Sequence, residues 1–135
     1  MLLNFILKEM FMSITTTIES NVFINKTEST DSLVEICDFI EMNIYKWKDY
    51  NLLWDLNEFN FDNISTESVK CFIDSETEIS HLRGNLKTAI LINSTFGFGM
   101  MRMLECLAED NLAMRIEVFK SRKSAMDWLT ENETE

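Results

Sequence analysis

The segment STFGFGMMRM, Ser94–Met103, places two of the chain's three glycines among phenylalanines and methionines. Glycines spaced this way after an apolar run raise phosphate binding as the first chemistry to weigh. A dinucleotide loop needs a third glycine three residues after the second, where helix and strand must touch. Arg102 stands at that position, and no Gly-Lys pair exists to build a Walker loop. The segment therefore reads as a helix capped by Ser94 or Thr95. Gly97 and Gly99 in its first turn would let it lie close against a sheet. Met100, Met103, Leu104 and Leu107 continue the apolar run toward a core. At 3.6 residues per turn, Phe96, Phe98, Met100 and Met101 cannot all face inward. Part of that set must line a pocket, a lipid-facing patch or a partner surface, for which phenylalanine and methionine are adaptable materials. Arg102 is the helix's one cation. It either pairs with Glu105 or holds an anionic headgroup at a pocket mouth.

Other reactive residues are sparse. Asp55 ends an apolar run and Asp62 follows in the next loop. Two carboxylates at a strand's end can share acid–base work, but no nucleophile or base accompanies them, so capping of the loop backbone is the simpler role. Cys37, Cys71 and Cys106 lie more than thirty residues apart and form no C-x-x-C pair. With His81 the only histidine, a zinc site of ordinary spacing cannot be assembled, and no metal or cofactor is expected. The cysteines read as small apolar residues in a reducing compartment, and His81 as a solvated or capping residue near a helix end. The G-x-S-x-G elbow is missing as well. No enzymatic activity is expected.

A formal net charge of −11 argues against nucleic acid or an anionic membrane as the default partner. Basic proteins and neutral ligands stay open. The 46% hydrophobic content fits an ordinary globular core within 135 residues. The opening MLLNFILKEMFM is apolar but interrupted by Asn4, Lys8 and Glu9, too short to span a bilayer and without a cleavage site. Residues 1–11 are thus set aside as an N-terminal extension, 12–131 as a single domain and 132–135 as a tail, in a cytoplasmic protein.

Those side chains need elements to hold them. SITTTIES and NVFINKTE read as short strands joined near Asn21. A helix follows through Trp47, with Leu33, Ile36, Cys37, Ile40, Ile44 and Trp47 on one stripe and a capping box of Ser32 and Glu35. NLLWDL is a strand covered on both faces. The loop NEFNFDNIS leads to a helix with Val69, Phe72, Ile73 and Leu82 inward. KTAILIN is a second fully buried strand, ahead of the glycine helix. MRIEVFK alternates Met114, Ile116 and Val118 against Arg115, Glu117 and Phe119. A final amphipathic helix buries Ala125, Trp128 and Leu129. The order is ββαβαβαβα, an α/β domain with a mixed five-stranded sheet and four helices, whose parallel strands require right-handed crossovers.

With the elements in order, LLWDLNEFNF, LKTAILIN, STFGFGMMRMLECLAED and IEVFKSRKSAMDWL resemble the SpoIIAA-like family, from about Met12 to Thr130. The most specific matches are Gly99, Arg102 and Met103, and the closing run Glu117–Leu129. That family is related to STAS domains and is compared with CRAL-TRIO lipid-transfer modules. The resemblance implies the same mixed sheet and binding rather than catalysis, with an apolar cavity and peripheral association with membranes. In STAS-type anti-sigma antagonists a D-S-S-G motif follows the central strand, and its second serine is phosphorylated. Ser65 falls on that serine, while Asn63, Ile64 and Thr66 occupy the other three positions. Ser65 is therefore both a phosphorylation candidate and a candidate helix N-cap.

Two functions follow. In the first, Phe59, Phe61, Phe96, Phe98, Met100 and Met101 form an apolar pocket at the strand ends for a lipid-like or other hydrophobic ligand, with Arg102 near its head. In the second, the same side chains dock a protein partner or a second copy, in the manner of an anti-sigma antagonist regulated at Ser65.

Overall fold

The computed structural model describes residues 13–62, 64–109 and 115–131. The readings for residues 1–11 and 132–135, for Asn63 and Met114, and for the side chains of Thr66, Leu104 and Leu107 lie outside what is described. The described elements run β1 (Thr15–Glu19), β2 (Val22–Lys26), α1 (Leu33–Asn43), β3 (Asn51–Asp55), α2 (Thr66–Arg83), β4 (Lys87–Leu91), α3 (Thr95–Glu109), β5 (Arg115–Phe119) and α4 (Arg122–Thr130). Over the described residues this is an α/β arrangement with a mixed five-stranded sheet, the class expected from the sequence.

The five strands stand in sequential order, β1-β2-β3-β4-β5. β1 and β2 form an antiparallel hairpin, and every later pairing is parallel. The hairpin turns on Ser20 and Asn21, both at positive φ (51° and 64°). This two-residue geometry matches the right-handed twist of the flanking strands.

Each strand sends alternate residues to opposite faces. One face of the sheet carries Phe23, Leu52, Trp54, Ile90 and Val118, which pack with residues of three helices, among them Ile36 and Ile40 of α1, Phe72 of α2 and Met101 of α3. The other face carries Val22, Ile24, Leu53, Ala89 and Leu91, packed with Ala125 and Leu129 of α4. β3 and β4 are buried almost throughout because they are covered on both faces, as their apolar runs imply. β1 is exposed along its whole length and is accordingly threonine-rich.

Two expectations are corrected. α1 stops at Asn43, not Trp47. The Asn43 amide turns back to donate to the Phe39 carbonyl, and turns through Lys46 carry the chain on. Trp47 is still completely buried, against Phe39 and Trp54. Leu82 is 46% exposed rather than inward, because the last turn of α2 gives its inward position to Arg83. Arg83 is buried and donates to the Thr88 hydroxyl and to the carbonyls of Tyr50 and Lys87.

α2 ends at Gly84, whose φ of +57° is one that side chains resist. Gly84→Ala should lower stability by about 1 kcal/mol. Asn21→Gly should instead raise it, since the turn already holds a positive φ there. Both are checked by the midpoint of urea unfolding at constant m.

Candidate functional site

All parallel strands of such a sheet point one way, so β2, β3, β4 and β5 deliver their strand-to-helix turns to one edge. Three of those turns hold the residues singled out above.

At the start of α3, Ser94 is the cap. Its hydroxyl accepts from the Gly97 amide at 3.0 Å, and its carbonyl accepts from the Phe98 amide at 2.9 Å. Gly97 is required by contact. A Cβ there would run into Ile92 Cδ1 and lie 2.8 Å from the Phe61 ring. Gly99 is different, with nothing within 4 Å of a Cβ position. One glycine of the pair, not both, brings the helix close to the sheet.

The structure divides the seven residues expected around a pocket. Phe59, Phe61 and Met101 are buried in the core, the two rings meeting edge to face at 4.9 Å. Phe98 and Met100 are half-buried at its margin, with Lys120 Nζ 4.7 Å above the Phe98 ring. Phe96 is 63% exposed. Arg102 is exposed and bonded to Glu105 at 2.7 Å, while the other Glu105 oxygen accepts from the Val118 amide. Arg102 is thus the ion-paired surface residue of the two alternatives, and Glu105 fastens α3 to β5. Met103, expected inward, is 61% exposed. The interior void bounded by Leu33, Ile36, Trp54, Leu56, Phe59, Phe72, Ile90 and Met101 measures about 10 Å³, room for roughly one water and not for an acyl chain.

The open cleft at this edge is elsewhere, between the starts of α1 and α2. It measures about 370 Å³ and is bordered by Thr30, Asp31, Ser32, Phe59, Asn60 and Ser65, among others. Ser65 caps α2 and is exposed. Its hydroxyl accepts from the Ser68 amide at 3.1 Å, and its own amide donates to the Ser68 hydroxyl at 3.1 Å. Serine at the third helical position takes the place usually held by glutamate in a reciprocal cap. On the opposite lip Ser32 accepts from the Glu35 amide and donates to its carboxylate. Buried Asp31 accepts from the Ser13 hydroxyl and the Glu28 amide, both at 2.7 Å. Ser68, Asn60 and Asp31 were not singled out from the sequence. The S-x-x-S spacing of Ser65 and Ser68 was the available signal.

Asp55 accepts from the Asn57 amide, the loop-capping role expected of it, and the Asp62 amide donates to Asn60. His81 lies exposed in the last turn of α2. Among the described residues no group of three or more His, Cys, Asp or Glu side chains is arranged to hold a metal ion. None of the described helices is long and apolar enough to cross a membrane. Comparison with protein-family models, with curated proteins and with solved structures finds no match to this chain.

The two glycines of α3 give opposite expectations. Gly97→Ala should destabilise by about 1–3 kcal/mol through overpacking against Ile92 and Phe61. Gly99→Ala should stabilise by about 0.5–1 kcal/mol. Paired thermal melts separate the two. A second prediction concerns Glu35, whose carboxyl burial and the neighbouring Asp31 hold above its ordinary range. A raised folded-state value makes the contribution fully present below the unfolded titration and lost as pH rises through the folded one. Glu35→Gln should therefore flatten the decline of stability with pH just above the normal glutamate range, read from melts across a pH series.

Proposed function

We propose that this chain is a non-catalytic protein-interaction module that docks a basic, apolar-faced protein segment along α3. The observation that carries this is the pairing of Phe96 and Met103, seven residues apart and therefore on one helix face, exposed by 63% and 61%. Gly99 lies between them with open space over its backbone. A bare glycine flanked by large apolar side chains allows close approach of a second backbone. Half-buried Met100 continues the same face into the core margin.

The position of this face follows from the helix itself. Phe98 meets Lys120 and Glu105 meets Val118, so that flank of α3 is turned to β5. At 100° per residue Phe96 and Met103 fall nearly opposite, on the side away from β5, where both stand exposed.

Charge selects the occupant. At −11 a second copy of the chain repels the first, and an anionic lipid surface is repelled as well. A lysine- or arginine-rich partner is attracted. The small interior void favours this reading over a buried lipid-like ligand. The resemblance to the SpoIIAA-like family and its STAS relatives belongs to the same proposal. Within it Ser65 is the residue a kinase would modify, on the lip of the cleft and already at a helix N-terminus that favours negative charge.

Installing p-benzoylphenylalanine in place of Phe96 and irradiating the full chain in native lysate tests the reading. Adding Met103→Ser should weaken the partner by about 2 kcal/mol and so remove its cross-link. The unfolding midpoint should hardly move, since the site is exposed. Cross-links to phospholipid, or to a second copy, would replace the proposed partner. A cross-linking pattern indifferent to Met103→Ser would refute the docking face.

A further inference from the structure

A second feature lies in the seam between α1 and α2. Cys37, in the second turn of α1, is buried to 4% exposure, and Cys71, in the second turn of α2, opens to solvent. Their sulfurs are 3.6 Å apart, with the Cys71 thiol donating toward Cys37. A disulfide needs about 2.05 Å, so closing the bond requires roughly 1.5 Å of approach between side chains on directly packed helices.

We propose that Cys37 and Cys71 form a peroxide-responsive thiol pair that closes reversibly to a disulfide linking α1 to α2. Cys71 faces a shallow groove and is the sulfur an oxidant reaches; Cys37 is held behind it as the resolving thiol. Cys71 loses its proton to solvent and attacks one oxygen of hydrogen peroxide. The O–O bond breaks, hydroxide leaves and is protonated to water, and Cys71 becomes the sulfenic acid. Cys37 then gives up its proton and attacks Cys71 Sγ, the S–O bond breaks and a second water departs. Two thiols lose two electrons in total and one peroxide becomes two waters.

The groove also sets which oxidant is accepted. Glu41, Glu67, Asp74 and Glu78 border it with Lys70 the only cation among its lining residues. A neutral peroxide enters such a rim, whereas the anionic glutathione disulfide is repelled. The bond would lie about one turn behind the helix starts that form the lips of the Ser65 cleft. Oxidation therefore fixes the width of that cleft. The pair stands whether or not the α3 face docks a protein.

The test uses the full chain carrying Cys106→Ser, so that the third thiol forms no link. Native protein is treated with hydrogen peroxide, quenched with iodoacetamide and digested without reductant. The expected product is a Cys37–Cys71 peptide pair two hydrogens lighter than its parts, with alkylation lost at both residues and restored by dithiothreitol. The oxidised protein should melt higher, and the Ser65–Ser68 amides should exchange hydrogen more slowly. Cys71→Ser, an exposed substitution, should leave Cys37 unmodified by peroxide, while Cys37→Ser should send Cys71 on to sulfinic acid. Glutathione disulfide should leave Cys71 unmodified over the same interval. Sulfinic acid at Cys71 beside an alkylatable Cys37 in the parent protein overturns the proposal. So does a stable glutathione adduct at Cys71, or a link formed only between chains.

Discussion

Burial of β3 and β4 on both faces is the constraint from which the rest of this architecture follows. Leu53 and Ala89 are fully buried on one side, and Leu52, Trp54 and Ile90 are nearly so on the other. A pair of central strands covered twice needs helices above and below, and parallel strands in sequential order supply them by crossovers of one hand. Three successive crossovers stack α1, α2 and α3 on one face. Among the described helices only α4, after the last strand, packs on the other. The same rule delivers every strand-to-helix turn between parallel strands to one edge, which is why the Ser65 cleft and the start of α3 are neighbours there.

The exposure of Phe96 and Met103 is a consequence of Gly97. Its missing Cβ lets the first turn of α3 rest against Ile92 and Phe61, and that contact fixes which way the helix is rotated. Met101, one turn on, then points inward, and Glu105 reaches the β5 backbone. With rotation set by these contacts, Phe96 and Met103 have no way into the core. A helix rolled to bury them would expose Met101 and break the Glu105 anchor. Their position is imposed by packing elsewhere, and the apolar face is the residue of that choice.

Much of the frame was legible because it rests on local chemistry. The continuous apolar runs of β3 and β4, the Ser32–Glu35 box, the Ser94 cap and the join near Asn21 are each set by a few adjacent residues. The excess of large apolar side chains on α3 was also readable from period alone. Its division was not, since periodicity gives angles between side chains but no absolute rotation. Hence Met101 reads with Phe96 on one helix although it fills the core, where Phe59 and Phe61 of the loop before α2 are buried as well. The end of α1 at Asn43 depended on a side-chain bond to Phe39 that competes with helix continuation. Arg83 and Lys87 belong to residue types that are almost never fully buried unless paired. They are buried because backbone carbonyls take up their donors, Lys87 giving one to the Trp128 carbonyl and lying over that ring. The meeting of Cys37 with Cys71 required α1 to pack on α2, a fact of tertiary structure that thirty-four residues of separation conceal.

α2 has two seams of unlike character. Toward α1 it is closely packed, with two sulfurs in contact inside the joint. Toward α3 it packs lightly, and the apolar flank of α3 stays open. The sheet-facing residues of α2, Phe72 above all, are anchored in the common core. Within the two proposals, then, thiol oxidation acts in the joint of α1 and α2, and partner docking on the exposed face of α3. The Ser65 cap stands at the N-terminus of α2, about one turn ahead of Cys71, so the thiol pair lies directly behind that cleft.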